Sequence, residues 1–294
     1  MALRFPRYLL SGVAFPGHSS ADLVAEARAL ELDAVDLVVA PGGQVDPSEA
    51  IDLIEVTVDC EDAGVQVVMV TTELTSPFDD HAEDVHRGCE EARVPYIRYG
   101  AWTRLDGVPY LDSLQAARAG LRGLETLCRR HNLRALVRQL PGSFQEQSGH
   151  AAALLHGRLS GYVGMCLAPG EFGPVATEAW QLDLDALDEH VQALSITNSA
   201  VESGPDGWSR APAVLTDGFT DWPQVLAEVS RRELDLFAIL EGGYIGGSSW
   251  GRDSNPPADP RQLFRNDLHL VRQQLGTRPV RRKSNKPRRW YRPL

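Results

Sequence analysis

Eight polar or aromatic side chains stand at or just after short apolar runs of the sequence, where they could do chemistry. They are Arg98, Trp102, Gln139, Glu171, Ser195, Asn198, Glu241 and Tyr244. Glu241 is the candidate catalytic residue, because a carboxylate in a cleft can act as a general acid or base and burial raises its pKa. The alternative for Glu241 is a structural carboxylate bonded to a nearby arginine. Gln139, Ser195 and Asn198 would orient a substrate through neutral hydrogen bonds.

Arginines and aromatic residues extend the candidate binding site. Arg98 suits a phosphate or carboxylate on a substrate, and a structural role for it stays open. Side chains alternate along a strand, so we expect Arg138 to point away from Gln139, toward the surrounding helices, in a structural ion pair. Trp102 and Tyr244 would stack their flat faces on a sugar or planar ring, or else pack within their loops.

Several kinds of protein are excluded by residues that the sequence lacks. Both lysines, Lys283 and Lys286, lie near the end of the chain, so the rest cannot supply the amine of a Schiff-base aldolase or of a phosphate-binding loop. None of the four cysteines belongs to a C-x-x-C pair, which argues for reduced, buried thiols. No apolar run approaches the ~18 residues of a membrane helix. We therefore expect a cytoplasmic protein without a membrane partner.

The elements that must position the candidates follow from hydrophobic periodicity. Apolar runs predict eight strands, at 8–14, 34–39, 65–71, 96–99, 135–139, 162–167, 191–197 and 236–241. Amphipathic stretches predict helices at 20–30, 47–63, 79–92, 111–131, 148–158, 183–190, 222–232 and 259–275, with caps such as Ser148 and Asp221. Eight alternating units predict an α/β fold of the closed (β/α)8 TIM-barrel type, whose catalytic residues lie at the C-terminal ends of the strands.

Charge divides the chain into a barrel domain, residues 1–277, and a basic C-terminal tail, residues 278–294. The tail holds eight of the 29 Lys and Arg and none of the 40 Asp and Glu, although the net charge is −11. An acidic body argues against nucleic acid as a partner, because a nucleic-acid-binding fold carries its basic patch on the fold itself. We expect the tail to dock on protein, either its own barrel or a second copy in a homo-oligomer.

Five stretches carry a family resemblance. They are DGFTDWPQVLAEVSRRELDLFAILEGG (217–243), HNLRALVRQLPGS (131–143), GYVGMCLAPGEF (161–172), VQALSITNS (191–199) and, less closely, ALELDAVDLVV (29–39). Together they resemble the sugar phosphate isomerase/epimerase superfamily, the xylose isomerase-like barrels that also include family-2 AP endonucleases. The resemblance implies one divalent cation held by Glu, Asp, His and Glu at the ends of strands five to eight. The matching positions here are Gln139, Ala168, Ser195 and Glu241, and a second strand-six group matches Glu171.

Most of these metal ligands are therefore replaced, which predicts a barrel without a metal or any other cofactor. A hard divalent cation needs several anionic or imidazole ligands, and a neutral amide, a methyl group and a hydroxyl are poor substitutes. The leading hypothesis is a metal-independent isomerase or lyase that acts on a small polyhydroxylated or cyclic carbonyl compound through Glu241. Its alternative is a non-catalytic relative that binds such a ligand or serves as an assembly partner. Metal-dependent isomerisation through Glu171 and Glu241 is a third option.

Overall fold

The computed structural model describes residues 4–171, 179–204, 207–245 and 259–281. Its strands are β1 Arg4–Phe5, β2 Tyr8–Ser11, β3 Ala34–Val39, β4 Gln66–Thr72, β5 Tyr96–Tyr99, β6 Arg134–Arg138, β7 Val163–Leu167, β8 Val191–Ile196, β9 Asn198–Gly204, β10 Gly207–Ala213, β11 Phe237–Leu240 and β12 Val280–Arg281. Its α-helices are α1 Ser20–Ala29, α2 Leu53–Asp62, α3 Ala82–Glu91, α4 Tyr110–Arg130, α5 Ser148–Leu155, α6 Ala179–Leu187, α7 Trp222–Arg231 and α8 Pro260–Leu275.

Eight parallel strands close into a barrel in the order β11-β2-β3-β4-β5-β6-β7-β8. The closing pair is β11 with β2, in which Ile239 lies opposite Leu9. Helices follow the strands and cover the barrel from outside, as a parallel crossover requires. The predicted (β/α)8 TIM barrel is confirmed.

Local capping explains where several helices begin. Ser19 and Asp22 form a reciprocal capping box at the start of α1, and Asp221 caps α7 as predicted by accepting from the backbone N–H of Gln224. The capping prediction for Ser148 is wrong, because α5 begins at Ser148 itself and its N-cap residue is Gln147. Helix α3 starts at Ala82, three residues later than predicted, because His81 adopts a left-handed φ of 61°.

Apolar side chains form two layers of core. The outer layer lies between strands and helices and includes Leu10, Leu121 and Trp222. The inner layer fills the barrel with alternate residues of the strands: Leu9, Ala34, Met69, Tyr96, Leu136, Cys166, Ala193, Phe237 and Ile239 among them. Phe5 of β1 and Val280 of β12, which pair with each other at the N-terminal face, also belong to the inner layer.

One element was not predicted. After β8 the chain continues into an antiparallel hairpin of β9 and β10, in which Asn198 lies opposite Ala213 and Gly204 opposite Gly207. Residues 282–294, which hold most of the predicted basic tail, lie outside the described residues. None of the helices in the described ranges has the length and apolar character needed to cross a membrane.

Candidate functional site

The inner face of the barrel becomes polar one layer above its apolar filling. Because inward-facing positions recur every second residue, the strands place these side chains at the C-terminal end of the axis: Ser11, Asp36, Thr71, Arg98, Arg138, Ala168, Ser195 and Glu241. Each stands two residues beyond an inner-core position, such as Leu9 before Ser11 or Ile239 before Glu241. The barrel therefore gathers four ionisable groups in one small volume.

Arg98 occupies the middle of this layer and is completely buried. Its Nη2 donates to Asp36 Oδ2 over 2.6 Å, to Glu241 Oε1 over 2.5 Å and to Ser11 Oγ over 3.2 Å. Its Nε donates to Thr71 Oγ1 over 2.7 Å. Burial alone would lower the pKa of Arg98, but the two carboxylates reverse this and raise it. The guanidinium is therefore a fixed positive charge on the barrel axis.

Glu241 is the second centre of the network. Its carboxylate accepts hydrogen bonds from Ser11 Oγ and Ser195 Oγ in addition to the ion pair with Arg98. Burial would raise its pKa, but the charges of Arg98 and Arg138 and these hydrogen bonds outweigh burial and lower the pKa of Glu241 to about 2. The alternative of a carboxylate bonded to an arginine thus describes the observed contacts, and the expected raised pKa does not occur.

Asp36 completes the buried ion pairs and carries no exposed surface. It accepts from Thr71 Oγ1 at 2.9 and 2.8 Å and from Ser11 Oγ at 3.0 Å. Burial raises its pKa, and the charge of Arg98 only partly opposes this. Sequence reasoning missed Asp36, Ser11 and Thr71 as members of the site. The available signal was Asp36 itself, the one charged residue inside the apolar run AVDLVV.

Arg138 lies inside the barrel mouth, so the prediction that it faces the helices is wrong. Leu136 belongs to the inner core, and Arg138 follows it on the same face of β6. Arg138 lines a recess of about 20 Å³ together with Glu171, Ser195 and Glu241, and it also lines a larger cavity of about 280 Å³. Within the described ranges its guanidinium makes no hydrogen bond or ion pair. Burial and the neighbouring charge of Arg98 lower its pKa.

Gln139 borders the recess beside Glu241, as expected of the pocket floor, whereas Asn198 does not line this recess and binds the loop before α7. Gln139 donates from Nε2 to Asp183 Oδ2 over 2.8 Å and accepts from the Ala168 N–H. Asn198 donates to the carbonyls of Leu215 and Thr220 and accepts from the N–H groups of Ser199 and Thr220. Asn198 thus binds backbone groups, whereas Gln139 binds the Asp183 side chain of α6 as well as the Ala168 backbone.

The other predicted residues are spread around the mouth. Glu171 borders the recess and pairs with Arg210 of β10 at 2.7 Å, and burial raises its pKa against the opposing charge of Arg210. Trp102 is buried and donates from Nε1 to the Thr75 carbonyl. Tyr244 is buried and donates to Asp267. The two aromatic side chains therefore contact protein partners, and neither lines the recess beside Glu241.

The four positions that match the family's metal ligands do not fit a divalent cation. The Gln139 amide is bound to Asp183 and to the Ala168 N–H, Ala168 has no side-chain donor atom, and the Ser195 hydroxyl is turned onto Glu241. The Glu241 carboxylate is bonded to Arg98, so a permanent cation already neutralises it. Across the described ranges, no three His, Cys, Asp or Glu side chains come together as a metal site would need.

Solved structures share this architecture. A D-allulose 3-epimerase from Methylomonas sp. superposes with a TM-score of 0.69 at 11% identity, over 93% of this chain and 99% of that one. A D-psicose 3-epimerase from Clostridium cellulolyticum H10, solved with D-tagatose, gives 0.66 at 12% identity, over 92% and 99%. A xylose isomerase-like TIM barrel protein from Mycobacterium smegmatis, in complex with magnesium, gives 0.63 at 14% identity, over 92% and 98%.

This chain has the xylose isomerase-like TIM-barrel fold. The resemblance found in the sequence is therefore confirmed as a shared fold, and it extends over nearly the whole length of each structure. No protein-family model matches the chain, and no curated protein sequence matches it. The activity must accordingly be argued from the site, since one fold supports many chemistries.

Proposed function

We propose that this barrel binds a small polyhydroxylated or cyclic carbonyl compound at its mouth without a divalent metal and without turning it over. The observation that carries the proposal is Arg98, which lies completely buried between Asp36 and Glu241 on the barrel axis. In a metal-dependent isomerase, a cation polarises the carbonyl and hydroxyl of the substrate. Here the axial cation belongs to the protein, its Nε and Nη2 are already bound to protein oxygens, and its Nη1 lies 3.9 Å from Cys166 Sγ.

Space supports binding above the axis rather than beside Glu241. The recess next to Glu241 measures about 20 Å³, which is room for about one water molecule. The neighbouring cavity measures about 280 Å³, close to the lower limit of ~300 Å³ that is usual for small-molecule sites. A single sugar-sized molecule suits that volume. The fold shared with sugar epimerases supports the choice of such a ligand.

The acid–base properties of Glu241 also argue against turnover. A general acid or base works best with a pKa near the working pH, whereas the pKa of Glu241 is lowered to about 2. A carboxylate held as a salt-bridged anion neither donates a proton at neutral pH nor accepts one readily. Substrate would have to displace Arg98 and Ser195 before it reached this group.

Metal-independent isomerase or lyase chemistry is the second candidate, and the position of Arg138 favours it. Arg138 lines the same recess as Glu241 and Ser195. A guanidinium there could stabilise the negative charge of an enediolate, which is the role of the metal in metal-dependent isomerases. In that mechanism Glu241 would exchange a proton with the carbon next to the carbonyl.

Metal analysis and deuterium exchange test the proposal together. Protein purified without chelators or a nickel column is soaked in manganese, magnesium, zinc or cobalt, and retained metal is counted. The same samples are incubated with D-allulose and D-tagatose in deuterated water, and NMR reports exchange next to the carbonyl. We expect neither retained metal nor exchange. Near one equivalent of metal would overturn the metal-free site, and exchange that Glu241→Gln abolishes would establish the second candidate.

A further inference from the structure

The cavity of about 280 Å³ opens between three loops at the C-terminal face of the barrel. Its walls come from the loops after β2, β3 and β4, and Arg138 lies on its β6 side. The polar and charged residues of its lining are Gln44, Thr71, Thr72, Glu73 and Arg138, and the others are glycine, proline, alanine and valine. Most of this wall is backbone and apolar surface, so few side chains are left to recognise a ligand.

The uncharged polar side chains of the wall already have partners. Gln44 accepts from the Val38 N–H and donates to the His18 carbonyl. Thr71 donates its hydroxyl hydrogen to Asp36 and accepts from Arg98, while Thr72 donates to the Arg98 carbonyl. Two charged side chains, Glu73 and Arg138, therefore dominate the chemistry of the cavity.

We propose that Arg138 is the anion-binding residue of this cavity and that the ligand is a small polyhydroxylated compound carrying a carboxylate or a phosphate. The proposal rests on the binding function argued above and specifies its ligand. A guanidinium presents a planar set of N–H donors that matches two oxygens of such a group. Arg138 keeps these donors unused among the described residues, although it is partly buried and an unpaired buried cation is costly.

The carboxylates near Arg138 leave this role open to a ligand. Glu241 is bound by Arg98, and Glu171 is bound by Arg210. Glu73 is exposed and lines the same cavity. A carboxylate there accepts hydrogen bonds from hydroxyl groups, so it favours a ligand that pairs its anionic group with hydroxyls over a bare anion.

Isothermal titration at low salt with four probes tests the proposal. D-Gluconate and D-glucitol share a carbon skeleton and differ in the carboxylate, while D-ribose 5-phosphate and inorganic phosphate replace carboxylate by phosphate. The variants are Arg138→Gln, Arg138→Lys and Arg122→Gln, the last removing an exposed arginine on α4 as a matched control. Glu73→Gln tests the hydroxyl contact.

For the wild type we expect at least ~10-fold tighter binding of D-gluconate or D-ribose 5-phosphate than of D-glucitol. Arg138→Gln should abolish this difference, Arg138→Lys should keep part of it, and Arg122→Gln should leave it unchanged. Glu73→Gln should weaken the binding of D-gluconate and D-ribose 5-phosphate. The affinity for inorganic phosphate should stay equal or increase. Whether D-gluconate or D-ribose 5-phosphate binds more tightly shows whether the site takes a carboxylate or a phosphate.

Two results would overturn the proposal: a wild type that binds none of the anions more tightly than D-glucitol, or an Arg138→Gln variant that binds them as the wild type does. If the glutamine variant does not fold, Arg138→Met takes its place, because an apolar side chain of similar length needs no partner. Retained metal or deuterium exchange would defeat the proposed function whatever Arg138 does. Affinities for D-gluconate and D-ribose 5-phosphate that are no tighter than that for D-glucitol would defeat this inference alone.

Discussion

Arg98 Nη2 lies 2.6 Å from Asp36 Oδ2, and neither side chain has any exposed surface. The same nitrogen reaches Glu241 Oε1 at 2.5 Å, so one guanidinium joins β3, β5 and β11 across the barrel. Charges buried in this way are stable only when their partners stay in place, because each lone ion would face a large desolvation penalty. The contact therefore makes Arg98 a structural residue as well as the cation of the axis.

Replacing Arg98 should destabilise the protein strongly. Arg98→Met leaves Asp36 and Glu241 as facing buried carboxylates, and breaking a buried pair in this way costs ~3–5 kcal/mol. Urea unfolding at pH 7 measures the loss. Without Arg98, the pKa values of both carboxyls in the folded protein would be raised, so these groups destabilise the fold more as the pH rises. The loss of unfolding free energy relative to wild type should therefore shrink toward pH 4.

The control for that experiment removes the carboxylates as well. Arg98→Met combined with Asp36→Asn and Glu241→Gln leaves no unpaired charge and should recover most of the lost stability. A triple variant as unstable as Arg98→Met alone would mean that packing around Arg98, and not its charge, explains the loss.

Glu241 should give the protein an acid-sensitive contribution to its stability. Its pKa is about 2 in the folded protein against an ordinary value of 4.5. A lowered folded pKa contributes stability that is present above pH 4.5 and is lost as the pH falls toward 2, here ~3 kcal/mol. Unfolding followed from pH 6 to pH 2 should show the gap between wild type and Glu241→Gln closing over that range. A constant gap would contradict the ion pair.

His86 should make the free energy of unfolding depend on pH over a second, less acidic range. Its Nδ1 lies 2.6 Å from the Ala82 carbonyl and its Nε2 lies 2.6 Å from Tyr99 Oη, which fits a neutral ring that donates from Nδ1 and accepts at Nε2. Burial lowers its pKa from 6.5 to about 4. The corresponding stability is present above pH 6.5 and is lost as the pH falls through 4. His86→Gln should remove this pH dependence of the free energy of unfolding. His156→Gln, at an exposed position, should leave it unchanged.

Asn198 should be needed for stability and not for ligand affinity. Its side chain satisfies two backbone carbonyls and two backbone N–H groups around the loop before α7. Asn198→Ala leaves these groups unpaired and should cost ~3 kcal/mol in the free energy of unfolding. Asn266→Ala, at an exposed site on α8, should change it by less than ~0.5 kcal/mol. If Asn198→Ala weakens D-gluconate binding without destabilising the fold, the sequence-based assignment of Asn198 to the ligand is right.

Gly170 should tolerate no side chain. A Cβ atom at this position would overlap the backbone carbonyl of Thr197, where the turn after β7 packs on the end of β8. Gly170→Ala should therefore cost more than ~2 kcal/mol in urea unfolding. Gly149→Ala meets open space within α5 and should instead stabilise by ~0.5–1 kcal/mol. Equal effects of the two substitutions would contradict the close approach at Gly170.

The elements of the barrel could be predicted because their signals are local. Apolar runs and helical periodicity repeat within a few residues, and β3 and β5 were predicted residue for residue. The hairpin of β9 and β10 was not predicted, because its strands form a sheet of their own outside the barrel and lack a long apolar run. Asp36 was not predicted as a site residue for the opposite reason: it lies within an apolar run, where we did not look for a charged member of the site.

Local sequence patterns were enough to predict the eight strand–helix units and the residues available at the strand ends, among them Gln139, Ala168 and Ser195, where the family that the sequence resembles has metal ligands. Which of these residues meet depends on the closed barrel, which brings distant strands together. Side chains alternate along a strand, so a shift of one position moves a residue from the axis to the helices. That is why Arg138 lies in the barrel mouth, although the sequence predicted it on the helix side. It is also why the partner of Glu241 is Arg98, more than a hundred residues away in sequence.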